Sequence, residues 1–122
     1  VCGSVDETDG TPLETLAHPQ SRRVMSAENV ALLRKMLCQV VEEGTAQDAA
    51  WLEEGAGGKT GTAQTGQFTP DGTERKNLWF AGFYPAQQPR YTIVVLQDGQ
   101  VSTEHSSAAI FARLCAMLDL LA

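Results

Sequence analysis

Residues 55 to 66 read Gly55-Ala-Gly-Gly-Lys-Thr-Gly-Thr-Ala-Gln-Thr-Gly66, and the fold turns on whether this run is a loop or a strand. A lysine followed by a hydroxyl residue in a glycine-rich run has the look of a phosphate-binding loop. That loop requires G-x-x-x-x-G-K-[ST], which with Lys59 as its lysine places the first glycine at position 53. Position 53 is Glu53, a carboxylate where backbone should approach anionic phosphate. The loop also needs a buried strand before it and a helix N-terminus after it. Upstream, Ala49-Ala-Trp-Leu-Glu-Glu54 is not a continuous apolar strand. Downstream, Thr60 to Gln67 alternates small and hydroxyl residues with further glycines, poor material for a helix. Spacing and context exclude a nucleotide site, and Gly57 to Gly66 is read as a strand.

The neighbouring sequence supplies its partners. Leu78-Trp-Phe-Ala-Gly-Phe-Tyr84 and Arg90-Tyr-Thr-Ile-Val-Val-Leu-Gln97 are apolar on both faces, the pattern of strands covered on two sides. A long polar loop with a Pro70-Asp71-Gly72 turn is expected before the first of these, a short loop from Pro85 to Pro89 between them, and a turn at Asp98-Gly99 after the second. Upstream, Ser26 caps a predicted helix with Glu28 in its first turn and Gly44 just past its end. Val30, Leu33, Leu37, Val40 and Val41 form its apolar stripe. Thr45 to Trp51 fits a short helical turn. A last helix from about Glu104 to Leu121 would present Ile110, Phe111, Leu114, Met117, Leu118 and Leu121 on one side. Residues 1–16 read as a hairpin turning at Asp9-Gly10, with Pro12 keeping its second arm on an edge. The predicted class is α+β: an antiparallel meander of about three strands packed by helices. Within one domain of 122 residues, residues 1–25 form the hairpin and connector and 26–122 the helices and sheet.

Composition narrows function. The net charge of −6 argues against nucleic acid or an anionic membrane as a partner. No apolar run approaches the roughly 18 residues of a membrane span. The chain opens on Val1 rather than methionine, as expected of an excised or processed piece of a longer protein. Cys2, Cys38 and Cys115 make no C-x-x-C pair, so no metal or cofactor is expected. Cys38 and Cys115 lie in helical apolar patterns and read as buried free thiols; Cys2 could form an intermolecular disulfide. His18 and His105 lack partners at ligand spacing. Glu42-Glu43 and Glu53-Glu54 are adjacent pairs that read as solvated faces, and Trp51 and Trp79 read as core. Asp71, Glu74, Arg75 and Lys76 read as a mobile solvated loop.

Placed first in the meander, the glycine-rich strand falls at a sheet edge, with unpaired backbone groups and little side-chain bulk. Lys59 adds a cation, and the hydroxyls of Thr60 and Thr62 add donors. The residues alone fit a groove for an extended, peptide-like anion, and fit equally a plain solvated edge strand.

Resemblance separates these. Lys59-Thr60-Gly61 matches the K-T-G signature of penicillin-binding proteins and serine β-lactamases. Its setting matches too: Arg23-Val-Met-Ser-Ala-Glu-Asn-Val-Ala-Leu-Leu-Arg-Lys-Met-Leu37, Val40-Val-Glu-Glu-Gly-Thr-Ala46, Trp79-Phe-Ala-Gly-Phe-Tyr-Pro85 and Pro89-Arg-Tyr-Thr-Ile-Val-Val95. In this order the chain resembles the C-terminal part of the transpeptidase domain of a class B penicillin-binding protein, from about Val24 to Gln97 and more loosely beyond. The Ala63-Gln64 after the motif is the feature closest to class B.

The resemblance implies a serine-type DD-transpeptidase acting on peptidoglycan stem peptides and binding β-lactams. It implies a location on the extracytoplasmic side of the bacterial cytoplasmic membrane, with an anchor outside this chain and no membrane contact by these residues. It implies that Lys59 lies beside the nucleophile, that the Thr60 and Thr62 hydroxyls hold the substrate carboxylate, that Thr62 N–H is an oxyanion-hole donor, and that Gly61 keeps the groove wall bare. The strand matching Arg90 to Gln97 pairs, in the family, with a strand from the start of the domain, so self-association through 90–97 is expected of this chain alone. The chain departs from the family at the nucleophile. No serine has lysine three places on: Ser4, Ser21, Ser26, Ser102, Ser106 and Ser107 are followed there by Glu7, Val24, Asn29, His105, Ala109 and Ile110. No S-x-N occurs, and Val101-Ser-Thr-Glu-His-Ser-Ser107 lacks the glycine pair expected before the last helix. Two functions therefore stand: one wall of a transpeptidase site, or a non-catalytic penicillin-binding-like module that binds a peptide or protein.

Overall fold

The computed structural model describes residues 4–6, 12–15, 22–102 and 105–121. Two short strands, β1 (Ser4–Asp6) and β2 (Pro12–Thr15), pair antiparallel as a separate two-stranded sheet. The Asp9-Gly10 turn, Cys2 and His18 lie outside the described residues. Helix α1 (Ala27–Glu42) follows, then a 3-10 turn at Gln47–Ala49. Strands β3 (Gly57–Phe68), β4 (Glu74–Tyr84) and β5 (Tyr91–Gln100) form an antiparallel sheet in the order β3-β4-β5, and helix α2 (Ser107–Asp119) closes the chain. The α+β meander and the edge position of the glycine-rich strand are as the sequence predicts.

The Ser26 side chain accepts from Asn29 N–H at 3.3 Å and caps α1. Ser106 does the same for α2, accepting from Ala109 N–H at 3.1 Å. The core lies between one face of the sheet, α2 and the 3-10 turn. Phe80 on β4 meets Phe111 on α2 edge-on, with ring centroids 4.8 Å apart. Tyr84 is buried beside them, and its hydroxyl donates to the Asp119 carboxylate at the end of α2. Burial first, and then that carboxylate, push the Tyr84 phenol well above its ordinary range.

Several expectations need correction. Strands β4 and β5 are covered on one face only: Phe80, Tyr84 and Val95 are buried, whereas Trp79 is 40% exposed and Val94 58%. Trp51, read as core, is 57% exposed. On α1 only Val41 of the apolar stripe is buried, with Leu37 and Val40 half-buried and Val30 and Leu33 exposed. The helix engages the core through its last turns. On α2 the buried side is Ser107, Ala108, Phe111, Ala112 and Cys115, while Leu114, Met117 and Leu121 point outward. A helix that approaches a sheet closely does so largely with its small residues, so Ala108, Ala112 and Cys115 are buried beside Phe111 while Leu114 and Met117 are not. Cys115 is a buried free thiol, pushed up to about 11 by burial and then by Asp119. Cys38 is free but only half-buried.

The long polar loop is instead a tight turn at Thr69–Thr73. Thr69 N–H donates to Thr73 O and Gly72 N–H to Thr69 O, both at 2.9 Å. The Thr69 hydroxyl and then Thr73 hold the Asp71 carboxyl below its ordinary range. Residues 74–76, read as mobile loop, are strand. Nor does Asp98-Gly99 turn the chain; it is a bulge inside β5. Gly99 takes φ 61° there, a conformation open to glycine. Arg75 donates to Gly99 O at 3.0 Å, and Gly99 N–H donates to the Asn77 side chain at 2.9 Å.

The sheet is shaped by what Phe80 lies against. A Cβ on Gly58 would fall 2.4 Å from the Phe80 ring and 2.7 Å from the Ala81 carbonyl oxygen. Backbone cannot withdraw as a side chain can. Gly58→Ala is expected to cost about 1–3 kcal/mol, the ordinary penalty of overpacking. At Gly61 the added carbon would meet only Trp79 Cβ, at 3.4 Å, so Gly61→Ala is expected to stay within about 0.5 kcal/mol of the unaltered chain. Urea denaturation checks both, and equal losses would show that the Phe80 contact does not set the register.

Candidate functional site

Register places the motif. Lys59 pairs with Ala81, Thr60 with Phe80, Gly61 with Trp79 and Thr62 with Leu78. Directly opposed residues of an antiparallel pair share a face. Thr60 and Thr62 therefore lie on the face that α2 covers, while Lys59 and Gly61 lie on the open face with Trp79 and Ala81. Gly58 is buried and Lys59 exposed, so the motif begins where β3 emerges from the core. No described strand pairs with the outer side of β3.

The exposed Lys59 side chain folds back on its own strand. Its ammonium donates to the Thr60 carbonyl at 2.8 Å, which holds the charge beside the strand edge. Thr60 is half-buried, with its hydroxyl 2.8 Å from that of Thr45 in the loop after α1. Thr62 is exposed. These threonines border a cavity of about 280 Å³ between β3 and the start of α2, with Leu78 and Ser106 on its other sides. The start of α2 is fixed independently of any ligand. The Ser106 hydroxyl donates to the Asp48 carboxylate. The buried Ser107 hydroxyl donates to Leu78 O at 3.0 Å and accepts from Gln97 at 2.9 Å. The result is a cleft lined by hydroxyls, with Lys59 on the opposite face of the same strand edge. It suits a carboxylate attached to an extended chain.

Among the larger clefts elsewhere, two lie beside the β4–β5 loop. One of about 480 Å³ runs between α1 and the β4–β5 loop. Its Arg34 is engaged structurally, donating to Ala86 O at 2.7 Å and also to Gln87 O. Its Cys38 thiol is pushed up by burial first and then by Glu42. The other, about 680 Å³, gathers Glu42, Glu53 and Glu54, which are exposed, as solvated faces are. Neither contains a nucleophile with an adjacent base. Among the described residues, no group of three or more His, Cys, Asp or Glu could hold a metal ion. His105 is exposed and enters only through its backbone carbonyl, which accepts from Gln97.

The four residues singled out in the sequence, Lys59, Thr60, Gly61 and Thr62, occupy one strand edge but not one face. Thr45 and Ser106 were not singled out. Nothing in local spacing relates either to residue 60. The nearest hint is Gly44-Thr45 directly after the helix, where a glycine announces a change of direction. The charged residues 71–76 serve the hairpin instead: the Glu74 carboxylate accepts from Gln64 at 2.9 Å and from Gly66 N–H at 3.3 Å.

The family model for the penicillin binding protein transpeptidase domain matches residues 4–116. The chain belongs to the penicillin-binding protein transpeptidase family. It is 38% identical over 101 residues to penicillin-binding protein PbpB of Mycolicibacterium smegmatis, covering 74% of this chain and 15% of that protein. It is 37% identical over 82 residues to a peptidoglycan D,D-transpeptidase FtsI homolog of Chlorokybus atmophyticus, covering 65% of this chain and 12% of that protein. Its fold superposes on a crystal structure of penicillin-binding protein 3 of Mycobacterium tuberculosis complexed with aztreonam, with a TM-score of 0.70 and 29% identity, over 98% of this chain and 30% of that one. This penicillin-binding protein chain therefore spans a minor share of the length of the proteins it matches.

In this penicillin-binding protein chain the Lys59 side chain stands outside the core, so its role is separable from folding. Lys59→Ala is expected to change stability by no more than about 0.5 kcal/mol, read as a thermal midpoint within a few degrees of the unaltered chain. A collapse of the midpoint would make Lys59 a structural residue.

Proposed function

We propose that this chain forms one wall of the active site of a serine-type peptidoglycan DD-transpeptidase, as the C-terminal portion of its catalytic domain. The observation that carries this is the glycine-rich edge of β3, unpaired by any described strand, with two hydroxyl side chains beside a cleft and an ammonium held along the same edge, in a chain of this family. An extended stem peptide, or a β-lactam in its place, lies along that edge. Its carboxylate is held by the Thr60 and Thr62 hydroxyls. Gly61 presents backbone without bulk, and Thr62 N–H faces the oxygen that becomes negative as the carbonyl is attacked. Lys59 stabilises negative charge at the rim and sits beside the proton relay of the nucleophile. The nucleophile itself comes from residues outside this chain, since no S-x-x-K occurs in it. Acyl transfer needs an activated nucleophile, and a wall alone binds without reacting. The working site is placed outside the cytoplasmic membrane, where peptidoglycan is cross-linked. No helix among the described residues is long and apolar enough to cross a membrane.

Fluorescent penicillin tests this reading. The 122-residue chain is expected to show no labelled band after denaturing electrophoresis, whereas the intact transpeptidase labels stoichiometrically. Lys59→Ala in the intact enzyme is expected to slow acylation by at least about tenfold, because a cation in a site with little water acts far more strongly than in bulk. A labelled band from the short chain, or acylation indifferent to Lys59, would refute it.

The second partner we propose is another copy of the chain. Strand β5 forms the other edge of the sheet, and the bulge at Gly99 confines its regular stretch to Tyr91–Gln97. That stretch is uncharged and rich in β-branched residues, the kind of edge that recruits another strand. In the intact transpeptidase the rest of the domain covers it. Alone, two copies pair antiparallel about Val94, which sets Thr92 opposite Leu96 of the second copy. Sedimentation at micromolar concentration is expected to show a dimer. Val94→Lys, which places like charges together at the axis, is expected to give a monomer. A monomeric unaltered chain, or a dimer that persists in a folded Val94→Lys variant, rules this partner out.

A further inference from the structure

The structure assigns Thr45 a positioning role in the site, a reading that rests on the carboxylate-binding function proposed for Thr60. The two hydroxyl oxygens lie 2.8 Å apart across fifteen positions of sequence, and both residues border the cleft beside β3. A threonine hydroxyl has one donor and two acceptor lone pairs, so only one of the pair donates to the other. If Thr60 donates to Thr45, it has no proton left for a carboxylate. If Thr45 donates, Thr60 keeps its O–H for the ligand, and a hydroxyl that accepts one hydrogen bond donates the next more strongly. A carboxylate is an acceptor only, so its arrival selects the second arrangement: Thr45 O–H to Thr60, and Thr60 O–H to the ligand.

The contact also holds a rotamer. Thr60 carries a hydroxyl and a methyl on the same carbon, and a rotation about χ1 exchanges their places. The Thr45 contact keeps the hydroxyl at the cleft. Thr45 is itself held by what flanks it. Ala46 is fully buried and donates its N–H to Val40 O at 3.1 Å, and Val41 is buried one turn back. Between them the chain folds across the end of α1 so closely that a Cβ on Gly44 would lie 2.8 Å from Val40 O. Thr45 is thus in place before a ligand arrives, and ordering it costs nothing at binding. It touches no reacting atom and acts only through Thr60. The ligand class it serves is one with a free carboxylate at the end of an extended or bicyclic backbone.

The test uses the intact transpeptidase that carries this chain and two probes, benzylpenicillin and its methyl ester, which lacks the free carboxylate. Thr45→Val is expected to lower acylation efficiency with benzylpenicillin about fivefold, the worth of one ordinary hydrogen bond, and to leave the ester's rate unchanged. Thr45→Ser is expected to restore the benzylpenicillin rate. Thr45→Val combined with Thr60→Val is expected to be no slower than Thr60→Val alone, since both act through one hydroxyl. If Thr60→Val slows benzylpenicillin but Thr45→Val does not, the role of Thr45 is overturned and the carboxylate reading stands. If Thr60→Val itself has no effect, that reading falls and Thr45 with it. Equal slowing of both probes by Thr45→Val makes the residue merely structural and overturns the role. Should the valine variant not fold, Thr45→Ala carries the same comparison.

Discussion

The sheet, the last helix and the motif all depend on one contact, the Phe80 ring set against backbone. A side chain at Gly58 or Gly82 would overlap the ring, with a Cβ 2.4 Å away in the first case and 2.6 Å in the second. Glycine at both positions lets strand β3 lie under the aromatic ring, and Phe111 of α2 packs edge-on against it. Edge-to-face pairs of this kind add roughly 0.5–1.5 kcal/mol beyond the area they bury. More important is the register they set. With Gly58 opposite Gly82, Lys59 is the first residue of β3 to leave the core, and Thr60 and Thr62 face the start of α2. The position of the motif is a consequence of where an aromatic ring can fit.

A site built on a sheet edge has a cost, and the chain carries it visibly. Backbone groups on the outer side of β3 are open to a ligand because no described strand pairs with them. The same is true of β5 on the far side. The face opposite α2 exposes Trp79, Val94 and Leu96, and α2 and the residues just past its end expose Met117, Leu120 and Leu121. Apolar surface of this extent belongs to an interface. The chain covers 30% of a related crystal structure, and on the function proposed here the remainder of the domain covers these surfaces. The polar groups that are buried, by contrast, are all satisfied: among the described residues no buried side-chain nitrogen or oxygen lacks a partner.

The cleft beside the motif is stiffened by hydroxyl groups rather than by charge. Ser107 bridges β4, β5 and α2 through Leu78 O and the Gln97 amide, and Ser106 ties the start of α2 to Asp48 beyond α1. Neutral hydroxyls accept and donate at once, so they link elements without the desolvation cost of a buried ion. Lys59 stands outside that network, its ammonium held to the Thr60 carbonyl. On the function proposed here, this separates the binding surface from the packing beneath it, so that one strand serves as both a structural edge and a recognition surface.

Much of this was legible in the sequence. The presence of the three strands, the serine cap at Ser26 and the turn at Pro70-Asp71-Gly72 report local backbone preference, and local preference needs no partner to be read. The K-T-G motif with its flanking strands was legible for the same reason, since its residues are contiguous. What covers a face was not legible. Periodicity marked Val30 and Leu33 as an apolar stripe and Trp51 and Trp79 as core, but burial is decided by the element packed opposite, and none of the described elements packs there. On α2 Phe111 is buried as its pattern predicts, but the close approach of helix to sheet fills the rest of that face with Ala108, Ala112 and Cys115 and turns Met117 outward. The pairing of Thr45 with Thr60 lay further still from the sequence. It depends on how α1 ends, how the chain folds back at Gly44, and where the Phe80 ring holds β3, and only the tertiary structure brings those three together.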